Sequence, residues 1–365
     1  MDKIREGKAL LRVTPAKKVS KKMPVFYNPV MKLNRDLSVC LLNALGKKLQ
    51  IGLPLAGSGI RGIRFLLETK CVKNISFNDN DNLAVAAIKS NLKLNKLSGS
   101  HIHVTQKDAN QFLLESTGFD YIDVDPFGSP NPFLDSAIKR ISRDGILAVT
   151  ATDTSALAGS HSDACKRKYW SMPLRNEFMH ESGIRILIRK VQLIGAQYEK
   201  ALTPILAYTQ HHYYRIFFSC QKGKERVNKL LKNHSNILYC TCLTRAVATE
   251  NSGLCTCGLL FNSIGPLWVG KLWDTEVLRK MIGACPNDVN PLLDVLYHES
   301  LGTVGFYDIH AIVKRYKLKS IPKTKELLEK IESMGFAAAP THFAPNTIRT
   351  NATLEQLLEI IQSLF

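Results

Sequence analysis

Between residues 49 and 150 short apolar runs alternate with amphipathic stretches, and the alternation is regular enough to predict elements. "KLQIGLPLA" predicts a strand, "IRGIRFLLET" a helix, "KNISFND" a strand, and "NLAVAAIKSNLKLN" a helix with Leu83, Ala86, Ala87 and Leu94 near one face. The order continues as strand "HIHVTQ", helix "ANQFLLEST", strand "FDYIDV", helix "PFLDSAIKRI" and strand "DGILAVTATD". Strand–helix units at this spacing predict an α/β fold, a parallel sheet covered by helices on both faces.

Residues 177–198, "EFMHESGIRILIRKVQLIGAQY", carry a long helical pattern, and "LTPILAY" and "HHYYRIFFSC" follow as two strands with only "TQ" between them. So short a connection makes a hairpin and not a crossover, so the last strand should run antiparallel to its neighbour. A parallel sheet finished in this way is the layout of class I S-adenosylmethionine-dependent methyltransferases. A plain dinucleotide-binding domain would continue with another crossover. The polar, basic stretch 221–235 reads as a linker. Beyond it come a Cys-containing segment and a small helical end. There "YDIHAIVKRYKL" and "KTKELLEKIESMG" predict helices and "FAAAPTHFAPNTIRTNA" a wing, so 304–365 is winged-helix-like.

Charge changes the picture next. Lys and Arg number 49 against 31 Asp and Glu, giving a net charge of +18 and making a polyanion the leading class of partner. With 45% hydrophobic residues and 15 Pro the chain is of folded and not disordered type. No run approaches the roughly 18 apolar residues of a membrane span, and "MDKIREGKALLRV" has no apolar core of signal-peptide length. The expectation is a cytoplasmic protein, in which the nine cysteines would form few disulfides.

"PLAGSGIRG" places Gly57, Gly59 and Gly62 after a strand and at the opening of a helix, where backbone can approach a nucleotide at a helix N-terminus. Asp79 closes the next strand, positioned to hold ribose hydroxyls, and Asp108 with Ala109 closes the third, where the acid could meet an adenine amine or cap the following helix. The fourth strand ends in Asp125-Pro126-Phe127. An exocyclic amine on a nucleobase is a poor nucleophile because its lone pair is delocalised into the ring. A carboxylate and a carbonyl that accept its two N–H bonds localise that pair and take the leaving proton, while an aromatic ring stacks on the base. Asp123 shares the face of Asp125 and reads as a supporting acid in the same pocket. Asp153 ends the fifth strand. The pairs His101/His103 and His211/His212 fall in strand patterns and read as structural, as do His180 and Glu181 in the long helix.

The segments "PVFYNPVMKLNRDLSV" (24–39), "GSGIRGIRF", "FNDN", "DVDPFGSP", "VTATD", "CKRKY", "HESGIRIL", "GPLWVG", "FYDIHAI" and "THFAPNTIRT", in this order, carry a resemblance covering nearly the whole chain. The sequence resembles the tRNA guanine-N2 dimethyltransferase family, which acts on guanine 26 of tRNA, in a chain of archaeal-type length. The resemblance implies a cofactor site of Arg35, Arg61, Asp79, Asp108 and Ala109 for S-adenosylmethionine, catalysis by Asp125, Pro126 and Phe127, and Phe26 and Tyr27 closing the pocket. Residues 1–222 would form the methyltransferase domain and 223–365 a tRNA-binding domain, in a chain more readily monomeric than not. Lys166, Arg167, Lys168, Lys314, Arg315, Lys317 and Lys319 are candidates for phosphate contacts. One departure stands out: Leu53-Pro54 and Ala56 replace an acidic loop start and a serine. A methyltransferase acting on amino groups of rRNA or DNA, a nicotinamide-dependent oxidoreductase, and a tRNA-binding homologue weakened in catalysis are the alternative readings.

Cys240, Cys242, Cys255 and Cys257 form two Cys-x-Cys knuckles 12 residues apart. Four thiolates suit a closed, tetrahedral structural zinc, although Cys-x-x-Cys is the usual spacing. The resemblance supports the site. The remaining cysteines, Cys40, Cys71, Cys165, Cys220 and Cys285, read as core or incidental.

Overall fold

A computed structural model of the chain describes residues 2–13, 25–300 and 302–365; Pro24, which opens the segment 24–39, lies outside them. The N-terminus forms a hairpin, β1 (Asp2–Glu6) and β2 (Ala9–Val13), turned on Gly7 at φ 56°. Then follow α1 (Lys32–Leu45), β3 (Leu49–Leu53), α2 (Ile60–Glu68), β4 (Val72–Asp79), α3 (Asn82–Leu94), β5 (Ile102–Gln106), α4 (Ala109–Glu115), β6 (Phe119–Val124), α5 (Asn131–Arg140) and β7 (Ile141–Ala151). Helices α6 (Thr154–Leu157), α7 (Ser162–Tyr169) and α8 (Met179–Ala196) lead into β8 (Lys200–Gln210) and β9 (Tyr213–Lys222). The strands assemble in the order β5-β4-β3-β6-β7-β9-β8. The first five are parallel, and β9 runs antiparallel to both β7 and β8, as the short connection predicts. Fully buried strand residues such as Ile51, Ile75, Ile122, Leu147 and Phe217 form the core, consistent with a sheet covered on both faces.

Several local readings are corrected. Helix α3 buries Ala84, Val85, Ile88, Asn91 and Leu92 and leaves Leu83 52% exposed, so its inward face differs from the predicted one. Its asparagines decide the rotation: Asn91 and Asn95 accept from the backbone N–H groups of Arg12 and Leu10 and dock the N-terminal hairpin. His211 and His212 are not strand residues but the exposed turn between β8 and β9, with His211 at φ 50°. Within 221–235 the chain is not a linker but forms α9 (Lys224–Leu231), which buries Val227 and Leu230. Cys40 of α1 and Cys285 are joined as a disulfide.

The rest of the chain builds β10 (His234–Tyr239), β11 (Arg245–Ala248) and β12 (Asn262–Trp268) in a sheet of order β11-β10-β12. Then come α10 (Thr275–Ile282), α11 (Asn290–Glu299), β13 (Tyr307–Asp308), α12 (Ile309–Tyr316), α13 (Thr324–Ser333), β14 (Ala338–Pro340), β15 (Thr347–Thr350) and α14 (Leu354–Gln362). The sheet β13-β15-β14 closes over α12 and α13. The loop 341–346, at the place of the expected wing, turns inward. His342 Nε2 accepts from the Thr209 N–H (3.3 Å), so Nδ1 carries the proton and donates to Glu299 (2.7 Å), and Phe343 stacks on Phe306. Arg349 of β15 bonds Glu181 of α8 (2.8 Å) and Glu299 (2.7 Å), and all three are buried, so the C-terminal elements are ion-paired to the large sheet's covering helix. Among the described residues no helix is long and apolar enough to cross a membrane.

Candidate active site

The glycine loop follows β3. Gly57 sits at φ 53° and Gly59 at φ 79°, conformations strained for residues with a Cβ. At Gly62 a Cβ would lie 2.3 Å from the Phe77 ring and 2.7 Å from Leu53, so glycine lets α2 lie against β3 and β4. Asp79, at the end of β4, accepts from the Gly57 N–H (2.8 Å) and the Asp81 N–H (3.1 Å) and fixes the loop. Asp108 is exposed and accepts from the Asn110 and Gln111 N–H groups as the cap of α4, with Ala109 buried beside it. Both acids stand at the carboxyl ends of parallel strands, the edge where open α/β sheets bind ligands.

A recess of about 60 Å³ opens beside the loop, and it brings together Phe26, Tyr27, Arg35, Arg61, Asp123 and Asp125 from three separate stretches of sequence. Asp79, Asp108 and Ala109 stand outside it. Arg61 of α2 spans Asp123 of β6 and Asp125 just beyond it, with Nη2 2.5 Å from Asp125 Oδ2 and Nη1 3.5 Å from Asp123 Oδ2. Asp125 Oδ1 has no partner among the described residues. The Phe26 and Phe127 rings meet edge to face with centroids 4.3 Å apart, and Phe127 is 41% exposed. Pro126, between Asp125 and Phe127, is buried, and Thr152 holds the turn by accepting from the Gly128 N–H.

Asp123 is committed inside the protein. Arg215 of β9 reaches across β7 and grips both its oxygens (2.8 and 2.7 Å), and the Tyr121 hydroxyl donates to Oδ2 at 2.6 Å. Burial alone would raise the Asp123 pKa, but the Arg215 and Arg61 guanidiniums bring it below the usual carboxylate range. Arg35 is likewise engaged, pairing through Nε and Nη2 with Glu6 of the N-terminal hairpin at 2.6 Å each. Tyr27 donates to the same Glu6 (3.0 Å), and burial, with that carboxylate, pushes its phenol up to about 12. Where an acid was expected at the loop start, Leu53, Leu55 and Ala56 make an apolar wall of the recess. Asp153 accepts from Tyr169 (2.7 Å) and faces Lys168 rather than the recess.

Sequence reasoning missed Glu6, Ser38 and Arg215. Ser38 Oγ accepts from Arg61 (2.9 Å) and Arg215 (3.1 Å) and joins the two guanidiniums. A signal for Arg215 was present, since a lone cation in the apolar run "YYRIFF" needs a buried acid, and "FDYIDV" offers one.

The four knuckle cysteines converge. Cys240 and Cys257 sulfurs lie 3.4 Å apart, Cys242 and Cys255 3.6 Å, and all four within 4.8 Å of one another. Zinc–thiolate bonds of about 2.3 Å in a tetrahedron need sulfurs about 3.8 Å apart, so the cluster could hold a zinc ion. Each knuckle closes by a backbone bond, Leu243 N–H to Cys240 and Gly258 N–H to Cys255, both at 2.8 Å.

Comparison with known proteins agrees with this architecture. The N2,N2-dimethylguanosine tRNA methyltransferase family profile matches residues 7–362. The tRNA (guanine(26)-N(2)/guanine(27)-N(2))-dimethyltransferase of Aquifex aeolicus is 40% identical over 383 aligned positions, covering 100% of this chain and 96% of that one. The tRNA (guanine(26)-N(2))-dimethyltransferase of Methanothermobacter thermautotrophicus is 37% identical, covering 99% and 98%. The structure of Trm1 from Pyrococcus horikoshii with S-adenosyl-L-methionine superposes with a TM-score of 0.89 at 35% identity, covering 99% of each chain. With the glycine loop, the strand order and the Asp-Pro-Phe turn all in place along its length, the chain belongs to the N2,N2-dimethylguanosine tRNA methyltransferase family.

Proposed function

We propose that the protein transfers methyl groups from S-adenosylmethionine to the exocyclic N2 of guanine 26 in tRNA. The observation that carries this reading is a half-free carboxylate in the recess with an exposed aromatic ring, Phe127, packed on Phe26 of the recess wall. Asp125 is anchored by Arg61 through Oδ2 while Oδ1 remains available, and Phe127 stands two residues on. The glycine cradle fits the cofactor: at Gly57 a Cβ would approach the Phe26 carbonyl to 3.3 Å, narrowing the loop that a ligand would lie against. A recess of about 60 Å³ has room for the reacting end only, so the nucleoside end belongs along the edge marked by Asp79, Asp108 and Ala109.

When bound, S-adenosylmethionine supplies an electrophilic sulfonium methyl. Asp125 Oδ1 accepts one N–H of the guanine amine and takes its proton, the Pro126 carbonyl accepts the other N–H, and Phe127 stacks on the base with Phe26 supporting it. Arg61 keeps the carboxylate in place, and Asp123 positions Arg61 without touching substrate. Tyr27 and Arg35 line the cofactor side. The guanine must leave its stack to reach this point. Residues 1–222 would carry this chemistry, and 223–365, with Lys314, Arg315, Lys317 and Lys319 exposed, would hold the tRNA body, in a cytoplasmic monomer.

Incubation with labelled S-adenosylmethionine and unmodified tRNA, followed by nucleoside analysis, tests the reading. Label in N2-methyl- or N2,N2-dimethylguanosine is expected; its absence would overturn it. Asp125→Ala should abolish transfer while leaving cofactor affinity within about threefold, and wild-type turnover in that variant would refute the assigned role.

A further inference from the structure

Of the three tryptophans, Trp268 and Trp273 are each 5% exposed, whereas Trp170 is 47% exposed. Trp170 caps the C-terminus of α7 at φ 56° and ψ 41°, a left-handed conformation usually left to Gly or Asn. A bulky aromatic held there with half its surface in water adds little to packing. Beneath its ring lies the buried Lys190 of α8, with Nζ 2.9 Å from the ring centroid. The preceding residue, Arg189, donates from Nη1 to the Trp170 carbonyl (3.1 Å), and its buried Nε has no partner among the described residues. Among the described residues neither cation forms an ion pair with a carboxylate. Burial lowers both pKa values, that of Lys190 to about 8 with Arg189 adding repulsion.

Two adjacent, partly desolvated cations without a counter-charge are costly in the free protein and attractive to an incoming anion. The end of α7 that carries Trp170 touches the loop after Asp125. Tyr169 shares a hydrogen bond with Ser129 (2.8 Å) in the loop that follows Asp125, and Asn131 donates to the Lys168 carbonyl (2.8 Å). Lys166, Arg167 and Lys168 are exposed on the same helix. Removing guanine from a nucleic-acid stack leaves neighbouring base faces uncovered, and an exposed indole is suited to cover one.

We propose that Trp170 is a stacking platform for a tRNA base next to the guanine that enters the Asp125 recess, with Arg189 and Lys190 attracting the adjoining phosphate. The inference rests on the tRNA methyltransferase reading. Because the other two tryptophans are buried, acrylamide quenching of the wild-type chain reports mainly on Trp170. Bound unmodified tRNA should shield that emission, and equal quenching with and without bound tRNA would overturn the platform. In steady-state kinetics Trp170→Ala should raise the KM for tRNA about tenfold, the order of one stacked base, and Trp170→Phe should recover most of it. An unchanged KM in Trp170→Ala would also overturn it. Arg189→Gln should reduce the slope of log Kd against log salt by about one, and an unchanged slope would remove Arg189 from the phosphate site. Trp170→Gly relaxes the left-handed cap, so a raised KM without a lowered melting temperature separates binding from folding. If wild-type protein shields Trp170 yet methylates no guanine, the catalytic reading fails, and with it the place given to the stacked base, while tRNA contact at Trp170 remains. If it methylates while Trp170→Ala keeps its KM, the platform alone fails.

Discussion

Two carboxylates two residues apart at the end of β6, Asp123 in the strand and Asp125 just past it, have different fates. Asp123 is closed in by Arg215, Tyr121 and Arg61, whereas Asp125 keeps one oxygen free at the recess. Arg215 is fully buried, so its charge depends on Asp123. Asp123→Asn preserves shape but leaves that guanidinium without a counter-charge, and should cost about 3 kcal/mol in urea unfolding; a wild-type midpoint would contradict this. Each residue of the pair was legible as a charge out of place in an apolar strand. That signal names a candidate acid but does not establish the pairing, because 92 residues separate the two and only the order β6-β7-β9 brings them together. Glu6 was illegible for the same reason: nothing local marks an acid in a hairpin as the partner of Arg35.

Among the elements, strands and helices of the large sheet follow their hydrophobic periods closely, and the failures come where polar side chains set the packing. Helix α3 turns its asparagines inward to hold β2, against the simple apolar count. The Cys knuckles are the opposite case, since residue type and paired spacing, with the family resemblance, already point to their convergence. Tyr316 of α12 donates to the Cys242 carbonyl (2.8 Å), which ties the knuckles to the C-terminal helices. Protein never exposed to chelator should contain close to one equivalent of zinc, and less than about a tenth would reject the site. Stripping the metal should make the segment 240–257 the first cut in limited proteolysis, with the large sheet still protected.

At the level of the whole molecule, α8 is the shared wall. It carries Glu181 to Arg349, Gln192 to His234 and Arg185 to the Trp268 and Gly270 carbonyls. Burial, reinforced by Arg189, lowers the His234 pKa to about 4. The unfolded chain therefore binds a proton near pH 6.5 that the folded chain refuses until about 4. This contribution to stability is full above pH 6.5 and is lost as pH falls towards 4. The Glu181 ion pairs outlast it: although burial opposes ionisation, Arg349 and Arg185 hold that carboxyl at about 2. The melting temperature should accordingly fall between pH 6.5 and 4, and His234→Gln should flatten that decline; an identical decline in the variant would assign it elsewhere. In the loop 341–346 His342 and Phe343 pack against Thr209 and Phe306, while Pro345 and Asn346 stay exposed at its tip.

The parallel sheet with its antiparallel finish, the glycine loop, the Asp-Pro-Phe turn and the paired cysteines can be read from residue order. These are local: period, turn chemistry and spacing act over a few residues, and the chain carries them wherever it folds. Which acid is sequestered and which stays open, which arginine meets which carboxylate, and that His342 and Phe343 pack inward emerge only once the chain is folded. Those outcomes depend on charges far apart in sequence finding one another across a sheet, where burial makes an unpaired ion too costly to leave.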